Sequence, residues 1–414
     1  MHTDLFVLPF ILTIGFILVL YPIALKIGLT DRPCHRKQHS EPTPLIGGLA
    51  IYLAIILTLS LKHINLPDQI AFFAAVTLLV LVGLIDDYKT LGVKIRLIAQ
   101  IAASLIMAEI ADIKINDLGD IFAFGNVNLG NYATAFTVFA VVGGINAFNM
   151  IDGIDGLAGS LTLISIMAIA TVSWLFQNWA LLDFCIVMIA SIIAFLIFNL
   201  RIFGRANAKI FLGDTGSTVF GFTVCWLAIY ASQSENRMIT PTTVLWIIAV
   251  PLIDSVCIML RRINKGRSPF SPDREHLHHI LSLAGYSVNQ ILIILLICSS
   301  ILSITGIATS FFFNIQEVLL LLSFLLLFLC HYWGISHAWK MMKIARYLRT
   351  KKADDDKTKA RRKNERRGAR CNLDIGERRI MDDRRNNEER RYIPTEDQLE
   401  KIVRHKEKQR RSES

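Results

Sequence analysis

The 414 residues predict an all-α, polytopic integral membrane protein, and three observations carry that prediction. Hydrophobic residues make up 53% of the chain and charged residues 19%, with a mean hydropathy of +0.46, too apolar for one or two ordinary soluble domains. Eleven apolar runs, most of them near the ~20 residues that a spanning helix needs, are bounded by charged or turn residues. Positive charge falls on alternate loops between those runs.

The runs lie near 5–25, 46–61, 70–85, 95–111, 132–148, 157–176, 179–200, 210–231, 239–260, 288–308 and 309–334. The first is expected to stay as a helix, because Asp4 occupies the region where a cleavable signal would be positive and no small-residue cleavage pattern follows. Loops after the odd-numbered runs carry 15 Lys and Arg when Arg96, at the head of the fourth run, is counted with them, whereas those after the even-numbered runs carry 3. The positive-inside rule then sets the first group and the C-terminus in the cytoplasm and the N-terminus in the periplasm, with about 11 transmembrane helices between.

Residues 1–334 are thus expected to form a transmembrane catalytic domain and 335–414 a basic cytoplasmic tail. That tail holds 26 Lys and Arg against 15 Asp and Glu, which accounts for the formal charge of +10 and leaves the rest nearly balanced. The charge therefore gives no ground for a nucleic-acid partner. His337 to Arg349 alternates basic and apolar residues as an interfacial helix would. Further on, an acid-Arg-Arg unit recurs at Glu377, Asp383 and Glu389 in a polar stretch that reads as disordered or as a contact for anionic lipid headgroups. The seven cysteines stand singly, with no CxxC pair, so neither a disulfide framework nor a zinc site is implied.

Acids are expensive in and near a bilayer, so their positions matter most. Asp86 and Asp87 end the third run; Asp152 and Asp155 lie in a Gly-rich turn between the fifth and sixth; Asp214 stands where the eighth begins. All fall beside the loops assigned to the cytoplasm. Each has a plainer reading: Asp86 and Asp87 as an interfacial pair neutralised by Lys89, Lys94 and Arg96, Asp152 and Asp155 as a turn, Asp214 as a helix cap. Asp254, inside the ninth run, is expected to pair structurally or to serve the chemistry. Asp112, Asp117 and Asp120 read as ordinary loop acids on the opposite side.

The loop from Arg261 to His279 carries five Arg and Lys, including Arg262, and the histidines His276, His278 and His279, a surface suited to phosphate. Carboxylates without a nearby cysteine favour Mg²⁺ over Zn²⁺. Acids for Mg²⁺ and cations for phosphate, all at one lipid surface, point to phosphoryl transfer between a soluble anion and a membrane-held one. A transporter for nucleotide sugars or other anions, and a lipid phosphatase, are the alternatives. The acids cluster at the ends of the runs and no internal repeat is evident, against what transporters usually show.

At these residues the sequence resembles the polyprenyl-phosphate N-acetylhexosamine-1-phosphate transferase family, and within it the bacterial undecaprenyl-phosphate N-acetylglucosamine-1-phosphate transferases. The matching segments are Asp31–Pro33, Pro44–Gly48, Asp86–Asp87, Gly144–Gly159, Phe211–Ser217 and Arg261–His279, in order over about residues 30–285. The resemblance implies that UDP-N-acetylglucosamine and undecaprenyl phosphate react at the cytoplasmic face of the bacterial inner membrane, giving the lipid-pyrophosphate sugar and UMP. Another UDP-N-acetylhexosamine as donor stays open, as does a homodimer. It further implies Mg²⁺, with Mn²⁺ as a substitute, held by Asp155 and Asp214. Asp86 and Asp87 would stand at the reacting phosphates with Asp152 in support. Asn146 and Asn149 would lie near the nucleotide, and Arg262, His276, His278 and His279 at the donor phosphate and sugar.

Overall fold

Each of the eleven apolar runs is helical in the computed structural model, which describes residues 2–31, 42–62, 68–202, 205, 207–234, 236–269, 276–313, 315–337, 340, 342–344, 346, 347 and 397. In chain order the helices are α1 (His2–Ile27), α2 (Gly47–Lys62), α3 (Gln69–Lys89), α4 (Val93–Leu105), α5 (Ala133–Ile151), α6 (Leu157–Leu175) and α7 (Trp179–Asn199). They continue as α8 (Gly213–Gln233), α9 (Pro241–Ile247), α10 (Ala249–Asn264), α11 (Leu277–Leu283), α12 (Val288–Phe311) and α13 (Glu317–Ser336).

Eight of these helices are long and apolar enough to cross a membrane, and the bent pair α9 and α10 would make a ninth. The expectation of eleven adds α2, with 16 residues, and α4, whose 13 residues continue into a π-helical turn at Ile106–Ile110. The chain is an all-α polytopic membrane protein. Residues 1–346 form one compact unit and 347–414 another, of which only Tyr347 and Asp397 are described. Of the expected interfacial helix at 337–349, the described residues from Lys340 to Tyr347 are helical; the expected disordered stretch lies outside the described residues.

Burial sorts the helices into an inner and an outer set. α8 is the innermost, with 89% of its most apolar stretch enclosed, whereas α1 and α13 have 17% and 22%. Side chains such as Ile11, Leu18, Ile301, Ile304 and Leu326 are exposed on α1, α12 and α13, as expected of surfaces solvated by lipid tails. Around α8, Phe72, Phe184, Phe222 and Trp226 pack ring against ring and join α3, α7 and α8.

Two local features shape the end of the bundle where the acids lie. The first is a close approach of glycines. The backbone N–H groups of Gly47 and Gly48 donate to Phe211 and Leu212 carbonyls at 3.0 Å each, and Phe211 N–H donates to Pro44 O at 2.8 Å. A Cβ on Gly48 would lie 2.3 Å from Gly216 Cα, so only glycine lets α2 come this near to α8. The Pro44–Gly48 and Phe211–Ser217 motifs thus form one joint, beside a small ribbon of β1 (Thr30–Asp31) antiparallel to β2 (Thr43–Pro44).

The second feature is the 86° bend between α9 and α10. Pro251 has no N–H to donate to Ile247 O, so the ladder breaks there. The freed carbonyl accepts instead from Ser165 Oγ at 3.3 Å and Ser303 Oγ at 3.2 Å, which satisfies it without water. The ninth run is therefore a broken element rather than a straight span.

On the opposite side, Asp117 is more than a solvated loop acid. It is buried, accepts from Gly119 N–H at 2.9 Å and pairs with Arg237.

Candidate active site

Helix direction gathers the acids. α3, α5 and α10 end, and α8 begins, at the same end of the bundle, so residues far apart along the chain line one cavity of about 310 Å³. Among its walls are Asp86, Arg96 and Gln100 of α3 and α4, Asn146 and Asn149 of α5, Asp214 of α8, Arg262 of α10, and His276, His278 and His279. Eight of the eleven residues singled out from the sequence are in that set. Asp87, Asp152 and Asp155 stand outside it.

Asp87 sets the position of α8. Its carboxylate accepts the N–H of Asp214 at 2.7 Å, the N–H of Thr215 at 3.2 Å and the hydroxyl of Thr215 at 2.6 Å. The sequence suggested that Asp214 could cap its own helix; the capping acid comes from α3 instead, an anion placed against the positive end of the helix dipole. Asp214 is thereby left to face the cavity, where its Oδ1 accepts from Asn149 Nδ2 at 2.8 Å. The same amide donates to Ser217 Oγ at 2.9 Å.

Asp86 is 4% exposed and is oriented by Leu91 N–H and by Arg96, whose Nη1 lies 3.3 Å from Oδ2. Its carboxyl and that of Asp214 line the same cavity. Arg96 thus does neutralise an acid, as the plainer reading held, and lines the cavity as well. Gln100, one turn further along α4, accepts from Asn146 Nδ2 at 2.7 Å. Spacing i and i+4 on one helix face was the available signal for this pair.

Asp152 packs among protein at the end of α5 yet stays open to solvent. Desolvation, then the carboxylates of Asp214, Asp155 and Asp87, push it up to about 8. Asp155 is engaged elsewhere: its Oδ2 lies 2.8 Å from Arg201 Nε and 3.3 Å from Ala208 N, pinning the segment before α8. Arg201 was not foreseen, since nothing local in the sequence links it to a residue 46 positions away.

The opposite wall is cationic and imidazole-rich. Arg262 is 4% exposed and donates from Nη1 to Pro269 O, which closes the turn after α10. His278 is 1% exposed and fits against Gly153, where a Cβ would lie 2.3 Å from Nε2. Neither of its ring nitrogens has a hydrogen-bond partner among the described residues. Burial, then the neighbouring His279 and His276 rings, depress it to about 3, so it is neutral at pH 7. Asp254 pairs with His276 and His331.

No group of three or more His, Cys, Asp or Glu with metal-binding geometry occurs among the described residues. The donor chemistry nonetheless suits Mg²⁺, which takes one or two carboxylates, keeps several waters and completes its shell with substrate phosphate. Asp86 and Asp214, both walls of the cavity, supply such a pair. Asp155 stands outside the cavity lining, with Oδ2 held by Arg201.

Comparison with known proteins places the chain in a family. The model of glycosyl transferase family 4 matches residues 69–232, from the start of α3 to the end of α8. The undecaprenyl-phosphate alpha-N-acetylglucosaminyl 1-phosphate transferase of Escherichia coli (strain K12) is 38% identical over 340 residues, 82% of this chain and 92% of the relative. The chain belongs to glycosyl transferase family 4. Enzymes of the same description from Salmonella typhi, 39% identical over 340 residues and again 82% and 92% of the two chains, and from Haemophilus influenzae, 33% over 333 residues, 80% and 94%, belong beside it. The family 4 match covers the acid-bearing ends of α3, α5 and α8; Arg262 and the histidines lie beyond it, within the longer chain similarity.

Proposed function

We propose that this chain transfers N-acetylglucosamine 1-phosphate from UDP-N-acetylglucosamine to undecaprenyl phosphate, giving undecaprenyl-pyrophosphate-N-acetylglucosamine and UMP. The reaction would start a lipid-linked polysaccharide of the O-antigen or enterobacterial common antigen type at the inner face of the bacterial inner membrane. Eleven crossings, with α2, α4 and the bent pair counted, would leave the N-terminus periplasmic and residues 335–414 in the cytoplasm. The observation that carries the reading is one cavity at the end of a membrane bundle with carboxylates on one wall and Arg262 with three histidines on the other.

An oxygen of the lipid phosphate attacks the β-phosphorus of the donor, and the bond from that phosphorus to the bridging oxygen breaks, so that UMP leaves with that oxygen. Mg²⁺, held by Asp86 and Asp214, would neutralise the diphosphate. A phosphate monoester with a second pKa of about 6 is already largely dianionic at pH 7, so positioning and charge stabilisation outweigh proton removal. Asp86, fixed by Leu91 N–H and Arg96, aligns the acceptor. Asn149 fixes Asp214, and Asn146 with Gln100 forms the wall for the nucleotide. Arg262 takes the charge that develops on UMP, while neutral His278 can donate one hydrogen bond without adding charge.

The test is an incubation of purified protein with UDP-N-acetylglucosamine, undecaprenyl phosphate and Mg²⁺, followed by identification of the nucleotide released. UMP is expected. UDP would mean simple glycosyl transfer, and no nucleotide at all would defeat the proposal. Trapping a phosphorylated Asp86 with donor alone would replace direct displacement by a two-step route.

A further inference from the structure

Asp254 is buried in α10, away from the acids that gather at the cavity, and its carboxylate ties together three elements. Oδ2 lies 2.8 Å from His276 Nδ1, and Oδ1 lies 3.2 Å from Leu277 N and 3.3 Å from His331 Nε2. Its side chain is 3% exposed, and that of His276 is 6%. His276 stands at the head of α11 and is a wall of the cavity; His331 belongs to α13, and the site makes no other use of it.

An ionised carboxylate only accepts, so the chemistry assigns the protons to His276 Nδ1 and His331 Nε2. His276 is then held in one orientation, with Nε2 as the ring nitrogen left for the cavity. The arrangement follows a general pattern, in which an acid behind an imidazole fixes the tautomer and the ring direction of the group that meets the ligand. Leu277 N–H on the same carboxylate holds the backbone too, so one acid fixes both the ring and the head of α11. His331 satisfies the remaining side of Asp254, which a buried carboxylate requires.

We propose that Asp254 and His331 are positioning residues for His276, through which α13 holds the phosphate-facing wall of the cavity in place. The proposal rests on the assignment of the cavity to the UDP-sugar. Neither residue touches substrate, and both act through one imidazole, which sets a specific expectation: their effects must disappear when that imidazole is gone.

Asp254→Asn and His331→Gln, each alone and combined with His276→Ala, are assayed as full-length protein in lipid nanodiscs for UMP release and thermal unfolding. Asp254→Asn is expected to lower kcat/KM by about 10- to 100-fold, the range seen when the partner behind a ligating histidine is lost. His331→Gln keeps an N–H donor and is expected to lose only a few-fold relative to the larger loss of His331→Ala. In the His276→Ala background all three changes should have little further effect. In protein labelled with ¹⁵N-histidine, the Nδ1 resonance that His276→Ala removes should shift in Asp254→Asn.

A folded Asp254→Asn with normal kcat/KM, or losses that multiply with that of His276→Ala, would overturn the proposal. If Asp254→Asn does not fold, the cycle of His331→Ala with His276→Ala decides by the same criterion. A wild type that releases no UMP would sink the assigned reaction, whereas the ¹⁵N shift still reads the contact between Asp254 and His276. An unmoved resonance would refute the positioning role alone.

Discussion

Gly48→Ala isolates geometry from chemistry, because the residue bears no side chain and the change adds one methyl group. That methyl would sit 2.3 Å from Gly216 Cα, 2.4 Å from Gly216 N and 3.0 Å from the Thr215 carbonyl carbon, all backbone atoms. Carbon atoms in contact prefer about 3.5–4.0 Å, so α2 and the first turn of α8 must separate by roughly 1.2 Å or more. The stability cost of such overpacking is about 1–3 kcal/mol. The first turn of α8 carries Asp214, and a displacement of about 1 Å at a reacting centre is worth on the order of 100-fold in rate. We therefore expect kcat for UMP release to fall about 100-fold with a measurable drop in Tm, both in detergent and in nanodiscs. Gly15→Ala, where nothing lies within 4 Å of the added carbon, is the control and should match wild type. Wild-type kcat and Tm for Gly48→Ala would refute the claim that this joint sets the position of Asp214.

Three further expectations follow from single contacts. Asp155→Asn and Arg201→Gln should each cost about 1 kcal/mol and fail to add in the double variant, because they break one partly buried ion pair; a change in the Mg²⁺ concentration for half activity on Asp155→Asn would instead make Asp155 a metal ligand. His278 is held neutral in the fold with its pKa depressed to about 3, below the ordinary value of 6.5, so an unfolded chain binds its proton first as the pH falls. Stability should thus decline as pH drops from about 6.5 towards 3, by about 2 kcal/mol at pH 5 from this residue, and denaturation of His278→Gln should show that much less acid sensitivity. Ending the chain after residue 350 should leave UMP release unchanged, and a well-folded but inactive truncation would assign the tail a part in the chemistry.

Much of the site was legible because its chemistry is written in residue types that are costly where they stand. Asp86, Asp214, Arg262 and the three histidines could be named in advance, since acids and cations in an apolar chain attract attention. Residues that act by geometry left less trace. Arg96 looked like a counter-charge and Gln100 like one more helix residue, yet both line the cavity. Asp87 and Asp155 looked like members of the same acid set as Asp214, but one caps α8 and the other grips Arg201. Their carboxylates are chemically alike, and only the group within 3 Å tells them apart.

Composition and the spacing of apolar runs determined that this chain is a bundle of membrane helices, because lipid leaves backbone polar groups no partner but their own helix. The alternation of charge set the expectation that the acid-bearing ends face the cytoplasm. Neither could decide that the ninth run bends at Ile248, that two glycines let α2 and α8 touch, or that Asp254 reaches His276 and His331, for these depend on side chains from distant helices meeting. A sequence records the cost of placing a group in the membrane; which partner offsets that cost is settled only when the helices pack.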